Sequence, residues 1–363
     1  MKTKILFIVI IQMFLFEQYS YSQSYKDILW EILYSSKGKD SYTIERAEAK
    51  SSEKERVIKY KIKSITEKSF GYSFGEPEQN GSMKTIAKYD VNGNKIYVWE
   101  NTCETYYTFD SKNRIIEMKL IISPMTAPNK ITKQELYKYD NKNNLLEQIE
   151  LVDGKEKSKN IYQYDGKNKK IEYIMYWLGV MSDKRVYKYN DKGLCTEEIK
   201  YEKDGTNTSF YFDDKGNKLS DGVNNYKYEY DSQANIVETR VTYPSNLSRS
   251  IMYNERQNIL VDSFYNATTG DITCQKYKYN TANQLIELTS LNKGLNSSNN
   301  GRYTITYNSN GEIIEILNNN NDGVFKTGFK YDKEGNILEK INYDIKGNPN
   351  YLIKYSYEFF KRK

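Results

Sequence analysis

The residues best suited to chemistry in this chain are aromatic. Tyr176-Trp177-Leu178 falls at a connection of variable length, where packing demands little, and an indole beside a phenol offers a stacking surface for a sugar ring. The competing reading is an indole folded onto its own neighbour. Tyrosine is abundant, 36 residues in 363. Rows of it read either as a sugar platform with a hydroxyl edge or as the buried face of a β structure. Asn318-x-Asn320-x-Asp322-Gly323 imitates the first half of a calcium loop. Position twelve of such a loop needs a bidentate Glu and is Phe329 here, so a polar hairpin turn accounts for the motif. No carboxylate pair stands out by spacing, so the arrangement of a glycosidase is not indicated.

Several chemistries are excluded outright. The chain contains no His, which removes the commonest general base and the commonest transition-metal ligand. Cys103, Cys195 and Cys274 are widely separated and form no C-x-x-C pair, so neither a zinc site nor a disulfide framework is legible. They read as small apolar fillers in strands. There is no glycine-rich phosphate loop and no nucleophile elbow. The expectation is a protein that is not an enzyme and takes no cofactor.

What must position any site is a repeat. Tyr89-Asp90, Phe109-Asp110, Tyr139-Asp140, Tyr164-Asp165, Tyr189-Asn190, Phe212-Asp213, Tyr230-Asp231, Tyr253-Asn254, Tyr279-Asn280, Tyr307-Asn308 and Tyr331-Asp332 open one short pattern eleven times, at a period of about 24 residues. The third residue after the Asp or Asn is Gly93, Gly193, Gly216, Gly311 or Gly335 in five repeats. It is Asn113, Asn143, Asn168 or Asn283 in four more. Those two residue types enter the left-handed region most cheaply, and Asp or Asn at the turn start can bond the backbone ahead of it.

The flanks read as strands. Side chains alternate before the turn, as in Phe325, Thr327, Phe329 and Tyr331 against Lys326, Gly328 and Lys330. After it comes a two-residue apolar step and then, usually, Glu. The second apolar residue is expected to lead the buried row (Ile116, Met118, Leu120; Ile314, Ile316), with the register at Leu145 and Ile337 open. Glu147, Glu197, Glu287 and Glu339 then face Lys138, Lys188, Lys278 and Lys330 across the strands. The fold class is all-β: an elongated repeat of antiparallel hairpins, about 22 strands, coiling into a superhelical or open shell-like ribbon.

The division expected is a signal peptide at 1–22, an N-terminal capping segment at 23–82 and the repeat domain at 83–363. Lys2 and Lys4, the apolar run Ile5 to Phe16 and Ser20-Tyr21-Ser22 make the signal. The run is too short for the ~20 residues of a spanning helix, so the mature chain is expected to have no transmembrane span and to be periplasmic, surface-bound or secreted. In the cap, Tyr25–Tyr34 reads as a short helix and Val57 to Ile65 alternates like a strand. The net charge of +6 is mild, with Lys and Glu interspersed, so nucleic acid is not an expected partner.

The unit Tyr-x-Tyr-Asp-x-x-Gly-Asn-Ile/Leu resembles the YD repeat of the Rhs-type family, whose hallmark is Tyr-Asp-x-x-Gly-Arg-Leu. Tyr331-Asp332-Lys-Glu-Gly335-Asn336-Ile337 is similar at the turn, and Phe109-Asp110-Ser-Lys-Asn113-Arg114-Ile115 keeps the Arg. The resemblance covers about residues 83–360. It implies hairpin ribbons winding into a shell or coil, acting as toxin cocoons, adhesion modules or carbohydrate-binding proteins. The chain departs from the large members: Asn mostly replaces the Arg, and the proline-rich closing motif is missing. The function expected is a non-catalytic exported scaffold binding a glycan or surface protein. Alternatives are an accessory shell component of an Rhs-type toxin system, or an outer-membrane β-barrel.

Overall fold

The turn chemistry dictates the architecture. The computed structural model describes residues 54–361 except 74, 101, 124–129, 245 and 294–299. The expected signal peptide, the Tyr25–Tyr34 helix and most of the capping segment lie outside the described residues. Twenty-four strands, β1 to β24 in chain order, form one open antiparallel sheet.

Each Tyr-Asp corner is the same reversal. In the first, the Gly93 N–H donates to the Asp90 carbonyl (3.1 Å) and the Asp90 N–H to the Asn94 carbonyl (2.9 Å). This is a type I turn followed by one left-handed residue. The nine Gly and Asn corners all have positive φ, for example 74° at Gly93 and 60° at Asn113. Geometry also imposes it on the two repeats lacking either residue, at Ala234 (67°) and Gln257 (60°). A left-handed alanine costs about 1–2 kcal/mol, partly offset by the chain entropy a glycine adds. Ala234→Gly is therefore expected to raise stability by about 0.5–1 kcal/mol, read as a higher urea midpoint at unchanged slope.

A twelfth corner, Tyr343-Asp344-Ile-Lys-Gly347-Asn348, has the same bonds and a Gly347 φ of 82°. It follows Asp332 by half a period and so lies off the beat on which the other eleven fall.

The two flanks of a corner are not in simple register. Tyr307 faces Ile313 while Thr306 faces Glu315, so Ile314 is an extra residue in the ladder. The same shift recurs at Tyr139, Tyr279 and Tyr331. This bulge corrects the expected buried row. Ile313 and Ile337 are fully buried, whereas Ile314 and Leu338 point outward. Period-2 alternation resumes only after the bulge, so Ile316 is buried as expected. The Glu after the bulge does meet the Lys: Lys188–Glu197, Lys278–Glu287 and Lys330–Glu339 are ion pairs at 2.7, 2.8 and 2.7 Å. Lys138 lies opposite Glu147, whose carboxylate pairs with Lys159 instead.

Residues 54–60 are helical and strand β1 (Ile62–Ser73) begins only after Lys61, itself left-handed at φ 55°. The strand expected over Val57–Ile65 is thus half helix. Val57 is buried and packs with Ile62 and Ile65 into the main core, while Ile58 covers Gly93. β1 then pairs with β3 (Ser82–Tyr89) on one side and β24 (Pro349–Phe359) on the other. The first and last repeats therefore share one strand, and neither presents a bare edge.

Pairing runs unbroken from β14 (Asn225–Tyr230) through β24, β1 and β3 to β13 (Asn207–Tyr211). Between β13 and β14 no ladder forms; the isolated bridges Phe212↔Lys218 and Ser220↔Asn225 span the gap. The deepest core joins Tyr277, Leu288, Ile305, Ile316, Phe329 and Ile353 to β1 and β3 on the inner face.

Candidate functional site: the inner face and the loop edge

The recurrent chemistry of the repeat is consumed by structure. At every corner, Oδ1 of the leading Asp or Asn accepts the main-chain N–H four residues on, at 2.8 Å for both Asp90–Asn94 and Asp332–Asn336. Bonds of 2.7–3.0 Å do the same at Asp110, Asp140, Asp165, Asn190, Asp213, Asp231, Asn280 and Asn308. These bonds hold carboxylates such as Asp110, Asp140 and Asp231 below the ordinary carboxylate range. Asn after the corner has its own role. Asn94, Asn144 and Asn258 donate both to their own Asp or Asn and onward to Asn113, Asn168 and Asn283 of the next repeat. These three pairs of corners are therefore stitched along one edge, and the leading Asp or Asn of each corner is spent on its own turn.

The tyrosine rows are structural as well. Tyr189, Tyr279, Tyr307, Tyr331 and Tyr357 donate their hydroxyls, at 2.6–3.0 Å, to the carbonyls of Lys170, Ile259, Leu285, Ile313 and Ile337. Each acceptor is the residue just before the bulge of the preceding repeat. This is why the position favours Tyr over Phe. Tyr331→Phe leaves the Ile313 carbonyl without that donor beside a fully buried side chain. The expected loss is about 1–3 kcal/mol by denaturant unfolding, with the fold unchanged by circular dichroism.

Away from the deep core the inner face is polar. Arg185 bridges Asp183 (3.0 Å) and Glu198 (2.7 Å), and Arg249 makes a two-bond fork to Asp262 at 2.8 and 2.7 Å. Lys133 lies between Glu135 (3.2 Å) and Glu150 (3.3 Å), and those carboxylates hold its ammonium pKa up against the opposing effect of burial. Glu135, Gln148, Asn160 and Tyr173 continue sideways as one hydrogen-bonded chain. Burial pushes the Tyr162 and Tyr228 hydroxyls up to about 12. Periodicity could not reveal this network, because its members occupy the aromatic face that reads as simple core.

Tyr176 and Trp177 end strand β10 (Lys170–Trp177) beside a tight turn with φ 50° at Leu178 and 77° at Gly179. Adjacent strand residues point to opposite faces, so the two rings do not form one platform. Trp177 is 42% exposed with the Lys157 ammonium 4.9 Å from its ring centre, and Leu178 and Val180 are more exposed still. The half calcium loop is a hairpin turn, with Asn320 opposite Gly323 and the Asp322 N–H donating to Asn320 Oδ1. All three cysteines are free thiols. Among the described residues no three or more of His, Cys, Asp and Glu are placed to share a metal, and no helix is long and apolar enough to cross a membrane.

No family model matches the chain. No curated relative matches it either. Similar solved structures include TcdB2-TccC3 without its hypervariable C-terminal region, 11% identical, covering 77% of this chain and 18% of that one, with a TM-score of 0.36. The Photorhabdus luminescens Tc holotoxin pore is also 11% identical, over 77% of this chain and 20% of that one, at a TM-score of 0.29. A porin-like protein from Bacteroides uniformis is 10% identical over 82% and 98%, at 0.23. The chain thus spans about a fifth of the toxin chains it overlaps.

Proposed function

We propose that this chain is a non-catalytic, exported repeat scaffold whose variable loop edge binds a glycan or a surface protein at the bacterial envelope or outside it. The observation that carries this reading is the contrast between the two edges of the sheet. At the corner edge, Asp, Asn and Tyr are spent on internal bonds. At the loop edge, Trp177 lies opposite Val180 with the Lys157 ammonium over its ring, and Leu178 in the turn between them is exposed. An exposed aromatic ring with an adjacent cation and apolar flanks suits a sugar face or an apolar side chain of a partner. Glycan and cell-wall arrays probed with the full chain and with Trp177→Ala test it. Signal lost in the variant supports the reading; no binding, alongside hydrolysis of any substrate, rejects it.

A second reading, an accessory shell component of an Rhs-type toxin system, is favoured by the polar, ion-paired inner face around Arg185 and Arg249, which suits enclosed polar material. A toxin or immunity gene beside this one would support it, and an isolated gene would weigh against it. The outward face argues against a lipid-facing barrel, since Lys278 and Lys330 stand on it with their side chains about two-thirds exposed. Detergent-free solubility would dispose of that alternative.

A further inference from the structure

The sheet has a weak place far from the first and last strands. Among the described residues, each strand from β3 to β24 is laddered to the next, except that β13 forms no ladder with β14. Between them lies only a stub, residues 218–220. The Leu219 N–H donates to the Tyr211 carbonyl (2.7 Å), and the Leu219 carbonyl accepts the Tyr226 N–H (2.9 Å). The stub is thus tied to each flanking strand by one main-chain bond.

A slip in register accounts for this. In a regular repeat the tyrosine that opens the corner donates its hydroxyl to the residue before the preceding bulge, as Tyr331 does to Ile313. Here Tyr228 takes that place, at the Lys218 carbonyl (2.8 Å), and Tyr230 is carried on to the Asp213 carboxylate (2.5 Å). β14 has therefore advanced by two residues, about 7 Å, and side chains stand in for the missing ladder. Asn217 donates to the Tyr230 hydroxyl (2.7 Å), the Lys215 ammonium lies over the Tyr230 ring, and the Lys218 ammonium lies over Phe210 and Phe212. The turn at 221–224 is capped by its own Asp221 and approaches β13 where Gly222 meets Thr208. Tyr211, Leu219 and Val223 are exposed around it. One bond per side and little buried apolar surface mark a segment that opens locally, well below the free energy of global unfolding.

We propose that residues 218–220 are a latch that releases from β13 and β14, while β1, laddered to β3 and β24, holds the two halves of the chain together. Release breaks the two Leu219 bonds and the Tyr228 and Tyr230 contacts. It opens a side entrance to the inner face beside β13, where Phe210 lies opposite Glu198 and Glu198 pairs with Arg185. Polar material entering there meets ion-paired groups and not the apolar core.

Amide hydrogen exchange on the full chain tests this, with trypsin as a second probe. The Leu219 and Tyr226 amides are expected to exchange about a hundredfold faster than the laddered amides of β1 and β24. Two variants should loosen the latch alone. Gly222→Ala puts a Cβ 2.5 Å from Thr208 at a φ of 81°, and Tyr230→Phe removes the Asp213 contact. Each is expected to speed those two amides by about another tenfold and to leave β1 and β24 unchanged. Trypsin carries internal controls, since Lys112, Lys142, Lys167 and Lys192 occupy in their corners the position Lys215 occupies in its own. First cleavage is expected at Lys215 or Lys218, with the two fragments still eluting together under native conditions through β1 and β24. Leu219 and Tyr226 amides as protected as those of β24 would overturn the proposal. So would cleavage spread evenly over these corners, or fragments that part once cut.

Discussion

The unfolding free energy is expected to fall by about 3 kcal/mol as pH rises from 4.5 to above 7, through Glu67 alone, a carboxyl buried on β1. Burial is the main cause: it lifts the Glu67 carboxyl from 4.5 to about 7, with Glu100 adding to the rise and Lys84, Lys340 and Lys95 opposing it. A carboxyl raised on folding binds its proton more tightly in the folded chain. Its stabilising effect is complete below 4.5, fades through the window and is gone above 7. Glu67→Gln keeps the shape and removes this titration, so its slope over that window is expected to shrink to what Glu100, a carboxyl also raised by burial, contributes, and its stability to exceed wild type at pH 8. Urea unfolding at pH 4.5, 6 and 8 decides it. A wild-type slope equal to the variant's would show that Glu67 does not report on the β1 closure.

Asp262→Ala is expected to cost about 3 kcal/mol. Asp262 is 3% exposed and holds both ends of the Arg249 fork, while the same guanidinium lies 4.8 Å from the Phe264 ring. Removing the carboxylate strands a largely buried cation. Replacing both partners, as Arg249→Met with Asp262→Leu, is expected to recover most of the loss, because the penalty arises from the orphaned charge and not from a missing attraction. Thermal unfolding of the two singles and the double separates these terms. A double variant as unstable as Asp262→Ala would place the cost in packing instead.

The elements that were legible from sequence are those whose physics is local. A left-handed corner needs Gly or Asn, and a leading Asp needs only its next few N–H groups, so the turns could be read without knowing what surrounds them. Three of the four expected Lys–Glu pairs followed because each sits one hairpin apart, while Glu147 turned to Lys159 on the next strand. The bulge was not legible, since Ile313-Ile314 and Ile337-Leu338 offer two equally apolar residues and only the facing strand decides which turns inward. The break at Lys61 was hidden for a related reason: Val57, Lys61 and Ile65 fit a helical spacing and an alternating one alike. Trp177 was located correctly at a tip, but pairing it with Tyr176 overlooked the pleat. The burial of Glu67 was beyond reach, because it follows from β1 lying between β3 and β24, an order around the ribbon that no pattern announces.

Arrays of repeats are ordinarily modular: each unit leans on its neighbour, and the terminal units fray first. Here β1 is held between β3, close by in sequence, and residues of β24 almost three hundred positions later. That arrangement abolishes the soft terminus and makes unfolding of the outermost modules mutually dependent. It also raises the mean sequence distance between touching residues, which slows folding. A polypeptide emerging amino end first would hold β1 half-paired until β24 arrived, so that contact joins the segments made earliest to those made much later.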